Sequence, residues 1–268
     1  MTPQTYRIRA SSWADLFDCP MRWKAKNLDG IRSPSSAAAH IGTSIHAGTA
    51  AFDQARLDGA PISPDDAADA LVQTLHHPED EVVWTDDDPS IKDAEQIALR
   101  LHGKYCIELA PHREYVAVEA ACESLTVDLG NGIAIELTGT TDRVRDTPGG
   151  LAISDLKSGQ RRCTKDGKVD AKADGAQLAV YELMAEQSLG KPITGTAEII
   201  GLQTTKTGGV GSREVPHTRS LLVGTEEQPG LLQMAGMYLK AGLFPPNPKS
   251  MTCSPKYCPL FGQCKFHN

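Results

Sequence analysis

Two runs decide the reading of this chain: Gly139-Thr140-Thr141-Asp142-Arg143-Val144 and, with its aspartate thirteen residues further on, Ile153-Ser154-Asp155-Leu156-Lys157-Ser158-Gly159. Thr140–Arg145 and Leu151–Lys157 have the composition of short strands, and Pro148-Gly149-Gly150 between them is a turn signal. A hairpin would lay the two strands side by side, with Asp142 and Asp155 near enough to share one divalent cation. Side chains alternate along a strand, so Asp155 and Lys157 leave the same face while Leu156 turns into the core. Carboxylate oxygens suit Mg²⁺ or Mn²⁺. Such a cation polarises a phosphodiester and lowers the pKa of a bound water. Lys157 would position that water or balance charge on the phosphate. An Asp-x-Lys on an amphipathic strand is ordinarily a solvated face, so this reading needs support from elsewhere in the chain.

Upstream, Tyr115–Ala121, Ser124–Leu129 and Ile133–Thr138 read as strands, the last two around the hairpin signal Gly130-Asn131-Gly132. The order suggests a meander of antiparallel strands. Helices are predicted over 11–28, 41–57, 64–76 and 90–109, the third opened by Ser63-Pro64 and the fourth closed by Pro111. Downstream, a helix over 173–189 ends at Gly190, followed by a strand over 196–204. A returning strand is predicted over 214–223 and a last helix over 226–242. The pattern is that of one α/β domain spanning 1–268, with a mixed sheet. Residues 1–110 form its helical N-terminal part, 111–225 the catalytic sheet core, and 226–268 a helix and cysteine-rich tail.

Gln177 and Tyr181 stand four apart, on one face of the helix that follows the Asp-x-Lys strand. Far upstream, Gly42-Thr43-Ser44-Ile45-His46 puts a histidine on an early helix. The set Gly139-x-x-Asp142, Asp155-x-Lys157, Gln177-x-x-x-Tyr181, with Gly42-x-x-x-His46, resembles the RecB-like branch of the PD-(D/E)XK nucleases. The resemblance implies a restriction-endonuclease-like core, a mixed central sheet flanked by helices. It also implies that His46, Asp142, Asp155 and the Leu156 main-chain carbonyl bind the metal. Lys157 would be the catalytic lysine, and Gln177 with Tyr181 would complete the site. Thr141 stands where the superfamily's name has proline, and Asp155 is the shorter of the two acids the motif allows. Glu119, on the strand before the hairpin, is a candidate ligand for a second metal, against the ordinary solvated strand-edge glutamate.

Seven cysteines are present, and Cys253-x4-Cys258-x5-Cys264 crowds three of them into a Pro-rich tail. Cys19, in Cys19-Pro20, stands alone near the front. Four thiolates hold either a 4Fe–4S cluster or a structural zinc, and spacing alone does not separate them. One cysteine in front and three behind resembles the iron–sulfur nucleases of the same branch, including those of CRISPR adaptation. There the cluster staples the ends of the domain, which implies 4Fe–4S here, with zinc as the alternative.

The formal net charge of −7 argues mildly against a nucleic-acid partner, but a local basic patch is enough. The acid is concentrated in Asp65–Asp93, expected to lie away from the substrate, while Arg143, Arg161 and Arg162 are candidate DNA contacts. No apolar run is long enough to span a membrane and no secretory signal opens the chain, so a cytoplasmic location is expected. No G-x4-G-K-[ST] motor motif occurs. The reading is a metal-dependent DNA nuclease acting on single-stranded DNA or duplex ends. It would be an exonuclease of recombination, repair or CRISPR adaptation, alone or with a protein partner or a second copy. The alternatives are a catalytically silent iron–sulfur scaffold subunit of a larger nuclease complex and a zinc-stapled protein of different activity.

Overall fold

The computed structural model describes residues 2–130 and 132–267. Its strands are β1 (Gln4–Arg9), β2 (Ser35–Ser36), β3 (Val82–Val83), β4 (Glu114–Ala121), β5 (Leu125–Asp128), β6 (Ile133–Thr138), β7 (Thr140–Asp146), β8 (Ala152–Gly159), β9 (Ala197–Gln203) and β10 (Val210–Val215). Its helices are α1 (Trp13–Asp18), α2 (Pro20–Asn27), α3 (Ala37–Leu57), α4 (Pro64–His76), α5 (Ile91–Lys104), α6 (Gly175–Leu189), α7 (Thr218–Val223) and α8 (Leu231–Ala241).

The main sheet runs β10-β9-β8-β7-β4, and a second runs β1-β6-β5. The β8–β9 pairing is parallel and the other pairings of the main sheet are antiparallel, so the sheet is mixed. β6 passes into β7 at Gly139, so one stretch of chain leaves the second sheet and enters the first. A side chain at Gly139 would press on Tyr181, Ala10 and Met184 at 3.1–3.4 Å, and the bare backbone lets the crossing strand pass close to α6.

Alternation along the strands gives the main sheet two differently covered faces. Val144, Ile153 and Ile199 pack with α6 and with Ile8, Trp13 and Leu137 in one core. Leu156, Ile200 and Leu202 pack with α3, α4 and α5 in the other, around Ile45, Leu71 and Leu101. Ser63 opens α4 with a reciprocal capping box to Asp66.

The structure departs from the sequence reading in three places. The predicted meander is broken: β6 pairs with β5 and, in parallel, with β1, while β7 pairs with β4 and β8. The β5–β6 hairpin forms as expected, although Asn131 at its tip lies outside the described residues. The helix expected over 11–28 splits at Cys19, whose backbone (φ −142°, ψ 89°) is held out of the helical region by Pro20. The strand expected over 214–223 ends at Val215. His217 then adopts a left-handed φ of 62°, and Thr218–Val223 continues as α7.

Candidate active site

β7 and β8 pair at Arg145↔Ala152, Val144↔Ile153 and Arg143↔Ser154, and the ladder stops there. Beyond it β8 pairs only with β9, from Ser154↔Glu198 to Gly159↔Gln203. The strands therefore part where Asp142 would face Asp155. The Leu156 amide, which β7 would otherwise engage, donates instead to Asp142 Oδ2 at 2.7 Å. The N–H and C=O of one strand residue point to the same edge, so the Leu156 carbonyl also faces this gap.

Asp155 is buried to 1% exposure. Its Oδ1 accepts from Gln177 Nε2 at 3.4 Å, and the same nitrogen donates to the Tyr181 hydroxyl oxygen at 2.9 Å. Its Oδ2 lies 2.6 Å from Lys157 Nζ, a contact of opposite charges, yet has no aligned hydrogen-bond donor. Burial pushes the Asp155 carboxyl pKa up. Lys157 pulls it back, and the Asp142 charge pushes it up further. Burial would lower the pKa of the Lys157 ammonium, but Asp155 and Asp142 outweigh burial and keep it raised, so Lys157 carries its proton.

His46 arrives from α3, on the opposite side of the sheet, with Nδ1 3.6 Å from Asp142 Oδ2. Gly42, one turn earlier, allows this approach, since a Cβ there would come within 2.6 Å of Ser158 Oγ on β8. His46, Glu119 and Asp142 offer ligand atoms all within 4.8 Å of one another, the one such group among the described residues. Glu119 has a φ of 44°, a left-handed conformation that costs a non-glycine residue roughly 1–3 kcal/mol and persists only where the surroundings impose it. Arg143 Nη1 holds its carboxylate at 3.1 Å. Burial and then Asp142 push the Glu119 carboxyl pKa up, against Arg143. A divalent cation fits this donor set of two carboxylates and one imidazole; Asp155, whose Oδ2 lacks an aligned donor, stands outside the set.

Arg143 is not at the surface. It is 2% exposed, donates to Asp53 at 2.8 Å and to the Asp142 carbonyl at 2.8 Å, and so is committed within the protein rather than offered to DNA. Alternation explains this, because Asp142 and Arg143 are neighbours on one strand and must face opposite sides. Arg162 pairs with Asp174 at 2.8 Å, and Arg161 is exposed. The acidic segment expected away from the site reaches it: Glu79 and Asp80 line a cavity of about 470 Å³ together with His46 and Glu119.

In a separate recess, Cys19, Cys253, Cys258 and Cys264 stand together with Leu260 and Phe261. The Cys253 thiol pKa is raised, by desolvation first and then by the neighbouring Cys258, Cys264 and Cys19. No three of the four sulfurs lie within 4.8 Å of one another. Beside them Arg22, 1% exposed, ties Asp15 and Asp18 to Ser250, and the Met21 amide donates to the Pro245 carbonyl. The front of the chain and its tail are thus seamed together by polar bonds beside the four thiols.

A crystal structure from Eubacterium rectale, provisionally described as an exonuclease, is 18% identical, with a TM-score of 0.48 over 88% of this chain and 79% of that one. That likeness is too distant to bear on residues or activity. No curated protein matches the chain in sequence. The family model of the PD-(D/E)XK nuclease superfamily matches residues 8–265, which takes in His46, Asp142, Asp155-Leu156-Lys157 and all four tail-recess cysteines. The chain belongs to the PD-(D/E)XK nuclease superfamily.

Proposed function

We propose that this nuclease is a Mg²⁺- or Mn²⁺-dependent exodeoxyribonuclease whose centre is the gap between β7 and β8. One observation carries the reading. Asp142, held by the Leu156 amide, meets His46 and Glu119 where two paired strands part, and Asp155, one strand over, holds the Lys157 ammonium. A divalent metal bound there supplies a Lewis acid for the phosphodiester and a water of lowered pKa. The chain's own groups do the rest. Gln177 fixes one oxygen of Asp155 and is itself oriented by Tyr181. Lys157, charged and largely shielded from solvent, balances the negative charge that grows on the phosphate. Leu156 N–H holds Asp142 in its rotamer. Glu119 completes the ligand set on the His46 side.

Residues 1–268 act as a single nuclease domain in this reading, in the cytoplasm, with or without a protein partner. No helix among the described residues is long and apolar enough to cross a membrane. The tail recess holds a 4Fe–4S cluster. Four thiols line that recess, the number a cluster or a structural zinc needs, and the resemblance to the iron–sulfur nucleases favours the cluster over zinc. A second reading, a silent scaffold subunit, is disfavoured by the paired Lys157 and Asp155, which a binding module has no need to bury together.

The test is cleavage of end-labelled linear DNA, single-stranded and duplex, beside a closed circular single strand, with Mg²⁺ or Mn²⁺. Loss of the linear substrates with the circle intact is the expected outcome. Cleavage of the circle would replace exonuclease with endonuclease, and no metal-dependent cleavage of any substrate would favour the scaffold.

A further inference from the structure

Two basic cavities lie beside the catalytic gap, and the larger adjoins the Glu79–Asp80 cavity at Ser35. The larger, of about 570 Å³, is lined by Arg7, Arg9, Lys26, Arg32, Lys256 and Tyr257 among others. The second, of about 470 Å³, shares Arg7 and Arg9 and continues to Thr140 and Tyr181. Tyr181 bonds through Gln177 to Asp155, and Thr140 is two residues from Asp142, so the pair of cavities leads to the metal site. Neither is lined by a single aspartate or glutamate, in a chain whose net charge is −7. Three of the cations are partly neutralised from outside the cavities: Arg7 by Glu136, Lys26 by Asp15 and Lys256 by Asp88. Arg9 and Arg32 are exposed and have no acidic partner among the described residues.

We propose that this carboxylate-free groove is the track that feeds single-stranded DNA to the catalytic gap, gripping phosphates with Arg9 and Arg32 and stacking a base on Tyr257. The proposal rests on the nuclease reading for the gap itself. The charge pattern separates the two cavities that meet at Ser35: the basic groove attracts phosphates, and Glu79 and Asp80 in the neighbouring cavity repel them. The choice of single strand follows from Tyr257, 43% exposed at the groove wall, because only an unpaired base offers its face to a ring. Lys256 and Tyr257 lie between Cys253 and Cys258, so the cysteine knot builds one wall of the track.

The experiment compares the full-length, cluster-loaded protein with Arg9→Glu/Arg32→Glu and with Lys191→Glu/Lys240→Glu, which has the same net charge. Affinity for a labelled oligothymidylate is read by fluorescence anisotropy across a salt series without added divalent metal. Folding is checked by circular dichroism. The groove variant is expected to bind about tenfold more weakly or worse, with a salt slope smaller by about 1.4, while the control binds like wild type. Mn²⁺-dependent hydrolysis of bis(p-nitrophenyl) phosphate, too small to use the groove, should be unchanged in both. Equal weakening of the two double variants, or none in the groove variant, overturns the track. So does a loss confined to blunt duplex. Absence of diester hydrolysis by wild type contradicts the nuclease reading instead, and leaves the anisotropy to judge the groove.

Discussion

The catalytic gap and the cysteine recess are both proposed metal sites, but they differ in what holds them together before a metal arrives. The gap is built on paired strands. Asp142 is fixed by a backbone amide, Asp155 by Gln177 and Lys157, and both cores close around them. The recess is built on turns. Its described residues after α8 form no helix or strand, and Met251 is 87% exposed. Its protein-made support is the Arg22 network with Asp15, Asp18 and Ser250. A site of the first kind should lose function without losing the fold, and one of the second kind should lose structure when its metal is lost.

The largest effect that would sharpen this contrast is on rate. Lys157→Ala should reduce metal-dependent cleavage by about 10²–10³-fold or more and, because it strands buried Asp155, lower the urea midpoint while the protein still folds. A variant that no longer folds would make Lys157 structural. Next comes Arg143→Ala, which removes the buried guanidinium from Asp53 and leaves it only the Tyr105 hydroxyl and the more distant Arg56, and should cost about 3–5 kcal/mol in urea unfolding. Normal stability there would show that Asp53 takes up a proton or water at little cost. Cys258→Ala should bleach the absorbance near 400 nm (roughly where iron–sulfur charge transfer appears) and lower the Tm. It should leave hydrolysis of a small diester largely intact. Stoichiometric zinc and no such absorbance would reverse the metal assignment. The smallest effect is on pH. The Asp155 pKa is raised, and a protonated carboxyl does not ligate metal, so Mn²⁺ affinity should fall as pH drops below neutrality, because the proton competes. Affinity independent of pH would show that Asp155 stays ionised or does not bind the metal.

The regions also differ in how far the sequence revealed them. Strand alternation and the Pro148-Gly149-Gly150 turn were enough to bring Asp142 beside Asp155-Leu156-Lys157, and helical spacing put Gln177 and Tyr181 on one face. The same alternation, applied one residue further, separates Arg143 from Asp142 and sends it inward. β1 was missed although Tyr6 and Ile8 alternate with Thr5, Arg7 and Arg9, because its partner β6 lies more than 120 residues away and no local turn announces a parallel pairing. The groove was invisible for a related reason. Arg9, Arg32 and Lys256 come from three distant segments, and only the tertiary fold shows that no carboxylate stands among them. The Glu79–Asp80 segment reads as a solvated acidic loop in sequence, and only its packing beside α3 brings it to His46.

The most direct measurement is a side-by-side assay of wild type, Asp155→Asn and Lys157→Ala, purified identically, on end-labelled single-stranded DNA with Mn²⁺ under single-turnover conditions. The account requires rapid, metal-dependent cleavage by wild type and near-background rates in both variants, with cluster absorbance and native circular dichroism retained. Cleavage at wild-type rates by either variant would mean that the gap between β7 and β8 is not where the phosphodiester is broken.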